Sequence, residues 1–243
     1  MKWPLLIQVW FTLRRAVKAL HPEARAAVQA FVLSQKRANG YCGAGGQVEP
    51  YYTQFGVLLE NVFSSSLLQA ARNLVPLAGK GFHVMCQKDD VYSLFFGFLN
   101  REMRMNRPGN REVEAVLQPF RHAAGGYVHA LGRPEPGTNA TCAALAMLHQ
   151  TGTNDKDSLQ WLLDRQDETG GFRASSDAPM PDLLSTGVAM FALHLCSVKP
   201  RVPVADFVDS HWLANGGFAP TLLDDYSDVE YVFYGLLALG CEG

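Results

Sequence analysis

A glycine followed by an aromatic residue recurs along the chain at nearly constant spacing, and that spacing limits the fold more than any other feature. It stands in "SQKRANGYCG" (Gly40-Tyr41), "RHAAGGYVHA" (Gly126-Tyr127), "DRQDETGGFRA" (Gly171-Phe172) and "HWLANGGFAP" (Gly217-Phe218). The later intervals are 45 and 46 residues, and the first, 86, is two periods of 43. A weaker copy, Gly81-Phe82 in "GKGFHV", falls inside that gap, so five units are expected. A second column runs in phase with the first. Glu49, Asp90, Asn139, Asp182 and Asp228 each precede a small residue by seven positions: Gly56, Gly97, Ala146, Ala189 and Gly235.

The segments around these columns alternate in character. Those before the turn, such as "EARAAVQAFVLSQ" and "DSLQWLLDRQ", are amphipathic. Those after the second column, such as "LLSTGVAMFAL" and "VEYVFYGLLAL", are apolar nearly all round, as a helix buried on both sides must be. Each unit therefore reads as an outer helix, a turn, a polar loop and an inner helix. The small residue midway along the inner helix lets a neighbour approach closely or leaves room for a ligand. The pattern predicts an all-α fold of about eleven helices in one domain, 1–243. An N-terminal helix at 1–22 precedes units at 23–64, 65–104, 105–151, 152–199 and 200–243.

Composition narrows the function classes. A net charge of −2 with no long basic run argues against a nucleic-acid partner. Five cysteines at 42, 86, 142, 196 and 241 form no paired motif, so free thiols in a reducing, cytoplasmic setting are expected. In "MKWPLLIQVWFTLRRAVKAL" the apolar run is broken by Gln8 and ends at Arg14-Arg15 without a cleavage site. A helix there places Leu5, Val9, Leu13 and Val17 near one face. Two readings stand: packing on the core, or peripheral membrane contact helped by Trp3, Trp10 and the basic residues.

"LQWLLDRQDETGGF" followed by "DLLSTGVAMFAL" resembles the repeat shared by protein prenyltransferase β subunits and by squalene and other class II terpene cyclases. The resemblance covers about Ala26 to Gly240 and implies an α/α toroid. Its inner helices would surround an apolar cavity for an isoprenoid or similar chain. The family ring has six hairpins where this chain supplies about five and a half. The ring is therefore expected to be small, gapped, or completed by the N-terminal helix.

Two family chemistries can be matched residue by residue. The zinc site of the prenyltransferases resembles an Asp-x-Cys plus a later His. Asp182 matches the Asp, but Leu184 stands at the Cys position and Tyr231 at the His, and neither completes a zinc site. Zinc is not expected, and magnesium only if a diphosphate binds. The acid motif of the class II cyclases resembles D-x-D-D, which aligns with "QKDD", Gln87 to Asp90. The resemblance casts Asp89 as proton donor beside Asp90, with Gln87 in place of the first Asp and Lys88 opposing the role. An alternative reading makes Asp90 a helix cap and Asp89 a solvated loop residue.

Capping explains the rest of the second column equally well, since Asp and Asn cap helices and Pro50 after Glu49 suits a first turn. In a toroid all five would nevertheless gather at one mouth. Glu49, Asn139, Asp182 and Asp228 are therefore substrate-binding candidates, with Tyr92, Phe96, Tyr231 and Tyr234 from the inner helices. "DDYSD", Asp224 to Asp228, matches a magnesium-diphosphate pattern, for which Arg173, Arg165 and Arg133 are candidate cations. The functional expectation is acid-initiated cyclisation of an apolar chain without zinc. The alternative is a non-catalytic toroid that binds a lipid or a polypeptide, or a subunit of a larger enzyme with a protein partner.

Overall fold

The computed structural model of the protein describes residues 2–64, 66–76 and 90–242. Helix α1 (Leu5–Ala19) precedes the repeats. The outer helices are α2 (Pro22–Ser34), α4 (Leu67–Pro76), α6 (Asn110–Leu117), α8 (Lys156–Leu163) and α10 (Ala205–Ser210). The inner helices are α3 (Pro50–Ser64), α5 (Val91–Met103), α7 (Thr138–Thr151), α9 (Leu183–Leu195) and α11 (Val229–Cys241). The only strands among the described residues are two short antiparallel pairs at the turns. They are β1 (Lys36–Arg37) with β2 (Gly40–Tyr41), and β3 (Phe172–Arg173) with β4 (Pro181–Asp182).

The turn is a folded-back hairpin whose aromatic ring plunges into its own unit. Arg121 pairs with Tyr127, Gln166 with Phe172, and Trp212 with Phe218. Tyr41, Tyr127, Phe172 and Phe218 are all buried. Each backbone N–H donates to a hydroxyl supplied by the inner segment. The bonds are Tyr41 to Thr53 (3.0 Å), Tyr127 to Thr141, Phe172 to Thr186 and Phe218 to Ser227 (2.9 Å each). A buried N–H left unpaired would be costly, so the hydroxyl is part of the turn's design. The two glycines of "GG" divide the work. Gly170 has φ +92°, where other residues are strained, while a Cβ on Gly171 would strike the Phe207 ring. Two of the mid-helix small residues serve the same packing: a Cβ on Gly56 would strike Tyr41, and one on Gly235 would crowd Phe218, whereas one on Gly97 would meet nothing.

Neighbouring units are joined by a second repeated bond. In three inner helices, α5, α7 and α9, the first N–H donates to a carbonyl in the next unit's loop: Val91 to His129 (2.8 Å), Thr138 to Ala174 (2.8 Å) and Leu183 to Pro220 (2.9 Å). At the seam between the last unit and the first, Ala44 N–H donates to the Asp228 carboxylate instead. The inner helices thus follow one another as α5, α7, α9, α11, α3, and α11 packs on α3. The architecture is an α/α toroid. The weak turn at Gly81-Phe82 lies outside the described residues.

Helix α1 closes the far end. It contacts the C-terminal ends of all five inner helices. Trp10 Nε1 donates to Asn61 O on α3 (3.4 Å), and Arg14 donates to Val62 O (2.8 Å). Leu5 N donates to Glu102 on α5 (2.8 Å), and Gln150 on α7 donates to Trp3 O (2.8 Å). Arg15 reaches His194 on α9 and Gly240 O on α11. Leu5, Leu13 and Val17 are buried as the periodicity predicts, but Val9 is only half-buried, and Leu6, Ile7, Trp10 and Ala16 are buried too. Of the two readings of this helix, core packing holds for Trp10, whose indole is tied into the core. Trp3 and Phe11 remain exposed beside Arg15 and Lys18. No helix among the described residues is long and apolar enough to cross a membrane.

Candidate functional site

The inner helices begin at the opposite end of the ring from α1, and their caps define its mouth. Asp90 caps α5, its two oxygens accepting from Ser93 N (2.7 Å) and Ser93 Oγ (3.1 Å). Asp182 caps α9 identically through Ser185, at 2.7 and 2.8 Å. Asp228 caps α11, accepting from Glu230 N (2.9 Å) and Tyr231 N (3.3 Å). An Asp followed three residues later by Ser satisfies orphan N–H groups of the first turn. Unit three departs from the predicted column. Its cap is Gly137, and Asn139 lies one residue inside α7. Asn139 Oδ1 is buried with no partner there. Glu49 stands just before α3, where its carbonyl accepts from Thr53 N (3.0 Å).

These bonds give several candidates local partners. Both oxygens of Asp90 accept from Ser93, as the capping reading expects. Asp89, Gln87 and Lys88 lie outside the described residues. In "DDYSD", Asp224 accepts from Thr221 N and Oγ1 (3.1 and 2.6 Å), while Asp228 is the cap. The two carboxylates are thus occupied locally rather than arrayed along one helix face. Arg173 sits on β3 with its guanidinium 3.9 Å from Asp167 and its Nε buried without a partner. Among the described residues no three His, Cys, Asp or Glu side chains come together as a metal-ligand set.

What the mouth does assemble is a group of phenols around two buried acids, Asp228 and Glu230. Glu230, two residues past the cap of α11, is 6% exposed. Its Oε1 accepts from the Tyr51 hydroxyl on α3, across the seam where the ring closes. Burial pushes the Glu230 carboxyl up to about 7; Asp228 adds to the rise and the Tyr51 bond opposes it. No Lys or Arg among the described residues pairs with it. Tyr51 and Tyr234 are themselves pushed far up, first by burial and then by surrounding charge that includes Glu230. Tyr231 is raised for the same reasons, and Tyr92 is pushed up to about 12 by burial. All four tyrosines are half-buried.

Below the acid, aromatic rings line the seam. Tyr51 and Phe55 lie 5.1 Å apart, Phe55 and Phe233 5.1 Å, and Phe55 and Tyr234 5.8 Å. Tyr231 pairs with Tyr226 above them at 6.4 Å. On the other side Tyr92 stacks on His129 at 6.4 Å, and Phe95 and Phe96 are half-buried further along α5. The structure therefore brings Asp182, Asp228, Tyr231 and Tyr234 near one mouth, where mutual electrostatic effects connect them. It adds Glu230 and Tyr51, which sequence reasoning missed. Their signal was faint, because one acid in the first turn of a helix reads as a complement to the helix dipole.

The raised acid has a consequence for stability. Glu230 ordinarily titrates near 4.5, and in the folded ring near 7. The folded state therefore binds the extra proton between those values. Its contribution favours folding at low pH and is lost as pH rises through that window. The loss amounts to on the order of 3 kcal/mol. Glu230→Gln is expected to remove this component. It should appear as the difference between the two proteins' unfolding free energies at pH 5 and pH 8. Parallel curves for the two proteins would show that Glu230 is ionised alike in both states.

Comparison with known proteins bears on the fold alone. No protein-family model matches the sequence, and no curated protein matches it. Among solved structures the chain is similar to Candida albicans protein geranylgeranyltransferase-I complexed with GGPP, at 13% identity and a TM-score of 0.54. That match covers 96% of this chain and 82% of the other. A protein from Actinoplanes matches at 13% identity with a TM-score of 0.44, over 96% of this chain and 87% of that one. The first of these places the chain's fold with the prenyltransferase-like toroids.

Proposed function

We propose that the ring binds an isoprenoid-type apolar chain and acts on it as an enzyme, by acid-initiated rearrangement or cyclisation without zinc. The observation that carries this reading is the buried Glu230–Tyr51 pair at the head of the Phe55, Phe233 and Tyr234 rings. An apolar chain needs an apolar wall, and proton-initiated chemistry needs an acid kept neutral by burial. The fold likeness to a geranylgeranyltransferase whose structure contains GGPP supports a prenyl chain as the ligand class. The mouth favours a neutral chain over a diphosphate. Asp90, Asp182, Asp228 and Glu230 gather there, and Arg173 is directed at Asp167. Leu184 and Tyr231, at the positions where zinc ligands would stand, support chemistry of another kind than thiol prenylation.

A second reading, a toroid that binds a lipid or polypeptide without turning it over, is favoured by the engagement of Asp90 and Asp182 in helix caps. Mass spectrometry of molecules retained through native purification tests the ligand class. A bound polyprenyl compound is the expected result. A bound peptide, or a fatty acyl lipid in its place, would overturn the isoprenoid reading.

A further inference from the structure

We propose that Glu230 is the proton donor of this ring, delivering H⁺ to a carbon–carbon double bond of a chain lying against Tyr51, Phe55 and Tyr234. The proposal rests on the reading of the ring as an isoprenoid site, and it identifies the acid that such a reading requires. The carboxyl is almost wholly buried, and one oxygen is fixed by the Tyr51 hydroxyl. Among the described residues no other side chain donates to it, which leaves the second oxygen to carry the proton.

The groups facing it are Tyr51 and Tyr52 from α3, Asp228, Tyr231 and Tyr234 from α11 and its cap, and Tyr226 from the preceding loop. None of them is a cation; Asp228 disfavours a second negative charge beside it, while the neutral Tyr51 hydroxyl donates to the carboxyl and opposes that effect. Burial without a cation holds the acid near neutrality, where proton donors work best. Asp228 is thereby a neighbour that helps keep the proton on Glu230, in addition to capping α11.

The step balances without a co-reactant. The O–H bond of Glu230 breaks and its electron pair stays on the carboxylate. The π pair of the alkene forms the new C–H bond, leaving a carbocation at the more substituted carbon. Facing aromatic rings stabilise that cation through their π electrons. Return of a proton from an adjacent carbon to the carboxylate restores the acid and yields an isomerised or cyclised alkene. Tyr51 acts as a positioning residue, since its bond fixes the carboxyl's orientation.

A purely structural Glu230 would serve only to tie α11 to α3 at the seam. Glu230→Gln separates the two roles, because glutamine keeps an acceptor for Tyr51 and the same volume but carries no transferable proton. The probe is geranylgeraniol, offered in D₂O buffer, with binding followed by native mass spectrometry. Deuterium on carbon is followed by gas chromatography–mass spectrometry. The infrared carbonyl band of a protonated carboxylic acid gives a readout independent of turnover. Wild type is expected to show that band below neutral pH, to lose it as pH rises through about 7, and to place deuterium on the probe. Glu230→Gln is expected to bind the probe equally, lack the band and lose deuterium transfer by at least ~100-fold. Binding by both proteins with equal deuterium transfer, or with none from either, would overturn Glu230 as donor and leave the binding reading standing. No binding by either protein would overturn the isoprenoid reading, and the donor role with it.

Discussion

Phe172→Ala is expected to lower the unfolding free energy by about 3–5 kcal/mol, the range for deleting a fully buried aromatic ring. Phe172 has no accessible surface. Its backbone N–H is held by Thr186 Oγ1 at 2.9 Å and its strand pairs with Asp182, the cap of α9. Alanine keeps both backbone interactions, so the loss measures the ring and its cavity alone. Thr186→Val makes the complementary deletion. It keeps the shape and removes the hydroxyl, leaving the Phe172 N–H unpaired at a cost of about 1–3 kcal/mol. Urea titrations of both variants would read the effects as shifts in midpoint at an unchanged slope. A loss below about 1 kcal/mol for Phe172→Ala would mean that the turn decorates the unit rather than anchoring it.

That turn was legible because it carries two requirements at once, a left-handed glycine and a large ring seven to ten residues past the outer helix. The inner-helix register was harder. In unit three both Ala144 and Ala146 are small, and Asn139 looks more like a cap than Gly137 does. Capping preference is a local bias of about 1 kcal/mol and does not settle a two-residue shift. The hydroxyl column does settle it. Thr53, Thr141 and Thr186 stand four residues after Glu49, Gly137 and Asp182, and each accepts from its own unit's turn. The threonines were visible in the sequence. Their meaning required the knowledge that the turn folds back onto the inner helix.

The acid was illegible for a different reason. Glu230 is shielded by Tyr51, which lies 179 residues away in the chain, so its desolvation exists only once the ring closes. Asp89 drew attention because it sits in a contiguous motif, and contiguous motifs are what sequence can display. The N-terminal helix shows the same limit. Its periodicity predicts one buried stripe, whereas a helix lying across the ends of five others is buried over a wider arc. Hence Trp10, for which core packing and an interfacial role both stood open, belongs to the core at 3% exposed.

Glu102→Ala is expected to destabilise the protein by about 3–5 kcal/mol, and to do so first at α1. Glu102 is 2% exposed near the end of α5, yet most of its partners lie elsewhere. It accepts from Leu5 N at 2.8 Å, Gln150 Nε2 at 2.9 Å and Arg107 Nε at 2.7 Å. Helix α1 has no side-chain cap of its own, because Pro4 occupies that position. Glu102 therefore caps α1 from a distance, and its charge lies where the helix dipole favours an anion. Burial pushes its carboxyl up, and the bonds from Leu5, Arg107 and Gln150 draw it back. Removing the carboxylate leaves the Leu5 N–H and Gln150 short of a partner and Arg107 without its counter-ion. Glu102→Gln keeps an acceptor for Leu5 but loses the ion pair, so a smaller loss is expected. Because α1 lies across the floor of the ring, its release should precede global unfolding. Hydrogen exchange across residues 5–19 is expected to accelerate in Glu102→Ala at denaturant concentrations that leave α9 and α11 protected. Unchanged protection of α1 together with an unchanged melt would mean that apolar packing of Leu5, Trp10 and Leu13 holds the floor without help from the carboxylate.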